Sequence, residues 1–236
     1  MTNHAEGIVS SRSRATRRDL DVLAGMPGVA AGVRDEQLRL VWCCDLLAKV
    51  FGRSRESLLG TALDDMMPGP AAAERVEVMN RVLSSGNPES HFQLCHGRRV
   101  METITPLNAF DFGHAGVLSV LMGVPEEVCV PGTPTRTLET GCLDRLGVLS
   151  ARELEVLYHV SQGLATSGIA RALGRSERTI DNQVLSIHRK LGTESRAALV
   201  RLGVERGIHA FNASEWAGIV RRSRAMRPRG TIAEVA

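Results

Sequence analysis

Lysine and aromatic side chains are scarce in this chain. Of its 29 basic residues only Lys49 and Lys190 are lysine, and Phe, Trp and Tyr together make up 3% of the sequence. With Trp42, Trp216 and Tyr158 as the whole supply of Trp and Tyr, any ligand pocket should be lined mainly by aliphatic, methionine and cysteine side chains. No uncharged apolar run reaches the roughly 18 residues of a spanning helix. The arginines Arg12, Arg14, Arg17 and Arg18 are not followed by the apolar stretch and cleavage site of a secretory signal, so a cytoplasmic protein with no membrane contact is expected. The five cysteines (Cys43, Cys44, Cys95, Cys129 and Cys142) are odd in number and lack CxxC spacing, which argues against a zinc site or a disulfide framework. No GxSxG elbow, Walker A loop, HExxH helix or dinucleotide fingerprint occurs. Asp64-Asp65 and Glu126-Glu127 read as solvated turns rather than catalytic dyads. No enzymatic activity is expected.

What is present is unevenly distributed. Residues 1–19 form a basic, polar arm expected to be disordered. Residues 20–124 mix short apolar runs with helical patterns, the signature of an α+β domain with an antiparallel sheet and small helices. Pro125, Pro131, Gly132, Pro134 and Gly141 mark 125–147 as a linker. Residues 148–209 are helical throughout, and 210–236 read as a basic tail carrying Arg221, Arg222, Arg224, Arg227 and Arg229.

The helical block is the most informative part. Ser150-Ala151-Arg152-Glu153 is a capping box, so a helix starts at Ala151, with Leu154, Leu157 and Val160 on its buried stripe and Gly163 at its end. Ile169, Ala170 and Leu173 belong to a short helix stopped by Gly174. Ser176 caps a third helix in which Ile180, Val184, Ile187 and Leu191 share one face. At 1.5 Å per residue this helix is about 22 Å long, enough to cross a major groove about 12 Å wide. Opposite its apolar face lie Glu177, Arg178, Asp181, Asn182, Leu185, Ser186 and Arg189. A fourth helix near 196–206 is expected to bury Ala197, Val200 and Val204. Two short helices joined at Gly174-Arg175 have the proportions of a helix-turn-helix.

The run Leu149 to Leu157, with Gly163-Leu164, Ile169-Ala170, Leu173, Ser176 to Ile180, Asn182, Val184, Lys190-Leu191-Gly192, Ser195-Arg196 and Leu199-Val200, resembles the LuxR-type four-helix DNA-binding domain of bacterial transcription regulators. The resemblance implies an all-α helix-turn-helix domain whose third helix enters the major groove and whose fourth supports dimerisation. It implies a DNA-binding set of Ser176, Arg178, Thr179, Asp181, Asn182, Leu185, Arg189 and Lys190. Within this set, Thr179 and Lys190 are expected to meet phosphate, and Asp181, Asn182 and Leu185 to approach bases. Asp181 stands where the family commonly has lysine, and Gln183 where it has histidine. Aspartate can accept from cytosine N4 and Asn182 can pair with adenine, so an atypical base preference is expected. Leu199, Leu202 and Gly203 are the candidate dimerisation residues.

The N-terminal half reads as strands at Val29–Val33, Leu38–Cys43, Val100–Ile104 and Gly116–Met122, with helical patterns at 45–51, 55–59 and 71–83. With Val33-Arg34-Asp35, Leu40-Val41-Trp42, Phe51-Gly52, Leu58-Leu59-Gly60, Met67-Pro68 and Thr105-Pro106-Leu107, this order resembles a PAS sensor domain. Cys44 replaces the asparagine that often follows the second strand, so a turn hydrogen bond is expected to be missing. No cofactor is expected, because the cysteine-containing flavin-adduct motif is absent and helix 71–83 has no histidine for haem. His91 and His96 flank a strand and read as structural or solvated. The pocket of an acyl-homoserine-lactone sensor, rich in Trp, Tyr and Asp, has no counterpart here. Asp64 to Gly69 mimics the aspartate-to-Met-Pro-Gly turn of a phosphoacceptor receiver, the alternative reading, but no lysine lies between Lys49 and Lys190 to reach a phosphoryl group. The expected partners are double-stranded DNA, a second copy of the chain, a small ligand or partner protein at the PAS-like domain, and RNA polymerase. A non-DNA-binding adaptor, with the helical block as a docking bundle, is a further alternative.

Overall fold

The structure, a computed structural model, describes residues 17–67, 69–108, 113, 115–123 and 135–225. Most of the N-terminal arm, the first part of the expected linker, Cys129 and the arginines Arg227 and Arg229 lie outside the described residues.

Helix α1 (Arg17–Gly25) leads into strands β1 (Val29–Asp35) and β2 (Leu40–Cys43). The crossover to the far side of the sheet runs through α2 (Asp45–Val50), α3 (Arg55–Leu58), a 3-10 turn at Leu63–Asp65 and α4 (Gly69–Ser85). Strands β3 (Glu89–Cys95), β4 (Arg98–Leu107), β5 (Gly116–Met122) and the short β6 (Thr135–Thr137) follow. The order is β2-β1-β5-β4-β3-β6, antiparallel except where β6 runs parallel to β3. This is the antiparallel PAS-like sheet that the sequence leads one to expect. It excludes a receiver, which needs a doubly wound parallel sheet, and Asp64 and Asp65 sit exposed on the 3-10 turn, where Asp65 accepts the Ala62 N–H at 3.0 Å.

Side chains of paired residues share a sheet face. The registers therefore place Gly32, Arg34, Gln93, Glu102, Ser119 and Leu121 on one face and Val33, Phe92, Leu94, Met101 and Leu118 on the other. The first face lies under α2 and α4, whose buried stripe includes Ala71, Ala72, Val78, Met79 and Val82. The second is covered at one end by Leu20 of α1, packed with Val33, Leu107 and Leu118, and at the other by the helical half of the chain, whose core includes Leu94.

That half comprises α5 (Ala151–Ser161), α6 (Thr166–Leu173), α7 (Glu177–Leu191), α8 (Arg196–Glu205) and α9 (Ala213–Ala225). Gly174 and Gly192 end α6 and α7 in the left-handed region, at φ 62° and 66°, which glycine adopts without steric cost. Leu154, Leu157, Val160, Ile169, Ile180 and Ile187 are all fully buried in one core.

Four expectations need correction. Residues 135–147 are not a free linker: β6 extends the sheet, Leu138 and Leu146 are fully buried, and the Glu74 carboxylate accepts the Glu139 and Thr140 N–H groups at 2.9 Å each. Nor are residues 213–225 a basic tail. Trp216, Ile219 and Val220 make a stripe at helical spacing that packs into the core, and the Trp216 indole N–H donates to Leu154 O at 3.0 Å. The arginines around this stripe disguise it, because Arg221 and Arg222 occupy the exposed face of the same helix. Cys44 does not leave a hydrogen bond missing: its Sγ caps α2 by accepting Leu47 N–H at 3.4 Å and also accepts Ala31 N–H at 3.1 Å.

The fourth correction concerns α8, which is rotated relative to expectation. Leu199 and Gly203 are buried, whereas Ala197 and Val204 are exposed. Both sides of this helix carry small or apolar residues, so periodicity alone does not choose between them. Contact does. A Cβ on Gly203 would lie 2.3 Å from Ser161 Cβ, so this glycine lets α8 approach α5 closely. Leu199 and Gly203 thus serve the chain's own core, and Leu202 packs half-buried against it. Leu199 and Gly203 are therefore buried within the chain and offer little surface to a second copy. Replacing Gly203 by alanine should destabilise the chain by about 1 to 3 kcal/mol through overpacking, whereas Val204→Ala on the exposed side should change stability by less than about 0.5 kcal/mol. Urea unfolding of both variants checks the assignment.

Candidate nucleic-acid interface and an adjoining cavity

Helix α7 presents one continuous outward face. Glu177, Arg178, Thr179, Asp181, Asn182, Leu185, Arg189 and Lys190 are exposed, while Ile180 and Ile187 are fully buried beneath them. Ser176, also exposed, caps the helix by accepting Thr179 N–H at 3.2 Å, and the two hydroxyls lie 2.8 Å apart. Leu185 is 59% exposed in the middle of this face, a position suited to a thymine methyl. Arg178 and Arg189 form no ion pair among the described residues, leaving two cationic groups for phosphate. Asp181 accepts from Thr166 Oγ1 at 3.1 Å, tying the outward face to the start of α6. Arg175 is steadied by Glu155 at 3.6 Å.

Lys190, expected to meet phosphate, has a partner within the chain. Its ammonium donates to both carboxylate oxygens of Glu153, at 2.9 and 2.7 Å. The same carboxylate accepts Ser150 N–H at 2.5 Å and Ser186 Oγ–H at 2.7 Å. Glu153 is 5% exposed, and one group thus caps α5 and fastens it to two successive turns of α7. Burial pushes its pKa upward, but the bonds from Lys190, Ser150 and Ser186 outweigh that and hold it down to about 2. The cap at Glu153 is legible locally, whereas its pairing with Lys190 is not, because 37 residues separate them.

The second feature is a cavity of about 50 Å³ between the inner sheet face and helices α2 and α4. Its walls include aliphatic, methionine and cysteine side chains, the types expected (Leu40, Leu47, Met66, Met67, Met79, Cys95 and Cys142), and also Arg34, Arg75, Gln93, Glu102 and Ser119. Arg34 and Arg75 are 5% and 4% exposed. Arg75 Nε donates to Gln93 Oε1 at 2.7 Å, Gln93 Nε2 donates to Glu102 Oε2 at 2.5 Å, and His91 Nε2 lies 3.1 Å from the same oxygen. Burial raises the Glu102 pKa, yet the His91 hydrogen bond and the Arg75 charge bring it below the ordinary value. Burial pushes the Cys95 thiol up to about 12, leaving it an unreactive wall group. Composition could not reveal this polar set, although two local signals could: Arg75 interrupts the apolar stripe of α4, and Glu102 lies among the strand residues of β4.

The wall of this cavity runs directly into the seat of the helical half. Cys95 and His96 lead to Gly97, whose N–H donates to Cys142 O at 2.7 Å and whose carbonyl accepts Arg206 Nη1 at 3.2 Å. Arg99 N–H donates to Arg206 O at 2.8 Å.

A four-helix unit whose second and third helices meet at a left-handed glycine, and whose third carries a polar outward face over an apolar inward one, has the architecture of a helix-turn-helix domain. Residues 147–202 match the family described as bacterial regulatory proteins, luxR family. The match lies within the helical half, and the sheet unit described above lies outside it. The chain is 40% identical over 60 residues to the transcriptional regulatory protein YdfI of Bacillus subtilis, covering 25% of this chain and 28% of that protein. It is 42% identical over 55 residues to the nitrate/nitrite response regulator protein NarP of Escherichia coli, covering 23% and 26%. The chain thus spans little more than a quarter of the length of these curated relatives. Among solved structures, a VqmA–ligand–DNA complex from Vibrio cholerae aligns with 21% identity and a TM-score of 0.45, over 84% of this chain and 92% of that one. The PAS domain of Bordetella pertussis BvgS aligns with 21% identity and a TM-score of 0.39, over 45% and 84%. No helix among the described residues is long and apolar enough to cross a membrane.

The depressed pKa of Glu153 gives a signed prediction. Its charged form is favoured in the folded chain, so its stabilisation is complete above about pH 4.5 and is lost as pH falls from there through about 2. Glu153→Gln should cost on the order of 2 kcal/mol at pH 7, and the gap between variant and parent should close across that acid window. Unfolding titrations between pH 7 and 2 measure it.

Proposed function

We propose that this chain is a DNA-binding transcription regulator that acts as a homodimer, its PAS-like unit taking a small ligand or partner that shifts the helix-turn-helix between geometries of different DNA affinity. The observation that carries the reading is the outward face of α7, with Arg178, Asn182, Leu185 and Arg189 displayed over a helix long enough to cross a major groove. Asn182 is the candidate for adenine and Asp181 for cytosine. Arg178, Thr179 and Arg189 serve phosphate, while Lys190 orients the helix through Glu153. Contact with RNA polymerase belongs to the same reading.

The coupling proposed is linkage. A ligand alters DNA affinity only to the extent that it binds one arrangement of the two halves better than the other. The continuity of the cavity wall with the Gly97, Cys142 and Arg206 contacts supports this route. Because Leu199 and Gly203 are buried, the candidate surface for dimerisation is the exposed side of α8 around Ala197, Arg201 and Val204, with the half-buried Leu202 beside it.

Selection of bound sequences from a random DNA pool, followed by anisotropy titrations, tests the reading. Asn182→Ala should lose about 1 to 3 kcal/mol on the selected site and relax preference at one base pair. Arg178→Ala should weaken all sequences alike and reduce the slope of log affinity against log salt by about one. Affinity independent of salt, or no enrichment from the pool, would instead favour a protein-docking bundle.

A further inference from the structure

The cavity in the PAS-like unit carries an imbalance of charge that says what it would hold. Two guanidiniums, Arg34 and Arg75, and one carboxylate, Glu102, lie in its wall, each at most 5% exposed. Arg75 and Glu102 are linked through the Gln93 side chain. Arg34 instead meets only neutral acceptors: Leu38 O at 2.7 Å, Thr61 O at 3.2 Å and Met66 Sδ at 2.9 Å. No carboxylate lies within ion-pair distance of it among the described residues. Burial lowers its pKa to about 10, as expected for a guanidinium whose counter-charge is distant. On the same face, Ser119 Oγ is buried with no partner in hydrogen-bonding geometry, although it lies beside the Glu102 carboxylate. A buried charge and a buried hydroxyl left in this state are costly, and one ligand could satisfy both.

We propose that this cavity binds a short-chain monocarboxylate, its carboxylate seated on Arg34 and Ser119 and its hydrocarbon end among Leu40, Leu47 and Met79. The excess wall charge is a single positive one, which matches a monoanion. A phosphate brings a second negative charge to desolvate and has no apolar end for the leucine and methionine side. At about 50 Å³ the space is well below the roughly 150 Å³ that accommodates benzene, so the chain must be short. Met66, Met67 and Met79 can yield to admit it. The proposal rests on the reading of the PAS-like unit as a ligand-responsive element.

Thermal unfolding and calorimetry of the full chain at fixed ionic strength in chloride, with acetate through pentanoate, the matching neutral amides and the matching amines, form the test. At least one carboxylate should raise Tm by roughly 5 °C at a hundredfold excess over its Kd, with no response to its amide. Arg34→Gln should weaken binding at least tenfold, and Arg34→Lys should lose less. Glu102→Gln, which removes the opposing charge, should tighten it. Absence of binding by every carboxylate, equal binding of amide and acid, or weaker binding in Glu102→Gln overturns the proposal. Binding by an amide or amine alone removes the carboxylate class but leaves a ligand-binding unit. Carboxylate binding that leaves DNA affinity unchanged upholds the site and removes the sensing role.

Discussion

The arrangement of the helical half depends on one buried carboxylate. Glu153 closes the capping box of α5 and accepts from Ser186 and Lys190 on α7, so the start of α5 and one flank of α7 are fixed by the same two oxygens. Removing a partner from such a group leaves an uncompensated buried charge, which costs far more than the pair contributes. The outward face of α7 follows from this. With Ile180 and Ile187 locked into the core and Lys190 drawn back to Glu153, the residues from Glu177 to Arg189 have one orientation to offer a duplex.

The two halves of the chain share a boundary built from both. Leu94 of β3 is part of the helical core, Gly97 and Arg99 pair with Cys142 and Arg206, and Ser223 exchanges hydrogen bonds with the Gly141 backbone at 3.1 and 2.9 Å. Gly141 has no room for a side chain, since a Cβ there would meet Ile219 and Leu94 at 2.9 and 3.0 Å. A seat this close is the route through which the proposed coupling would carry a shift of the β3–β4 turn to α8 and α9, since that turn borders the PAS-like cavity. A chain with a flexible linker between independent domains would have no such path.

Local chemistry made much of this legible in the sequence. The cap at Ser150, the glycine stops at 174 and 192 and the stripe of α7 are decided within a few residues, and the helices start and end where those signals place them. What depends on contact between distant segments was not legible. The rotation of α8 is set by Gly203 against Ser161, the partner of Lys190 lies 37 residues away, and the Trp216 helix is masked by arginines that share its exposed side. The second half of the expected linker was misjudged for a related reason. Proline and glycine punctuation describes local backbone, whereas Leu138, Leu143 and Leu146 are ordered by the surfaces they cover. The polar set in the cavity was hidden by composition, because a few buried charges barely alter a percentage.

The most direct test of the central claim is the Lys190→Met variant, followed both by urea unfolding and by the salt dependence of DNA binding. If Lys190 serves Glu153, stability falls by about 1 to 2 kcal/mol, as for a half-exposed ammonium on a buried carboxylate, and the slope of log affinity against log salt stays that of the parent. A slope reduced by about one with stability unchanged would instead place Lys190 on a phosphate and contradict the account.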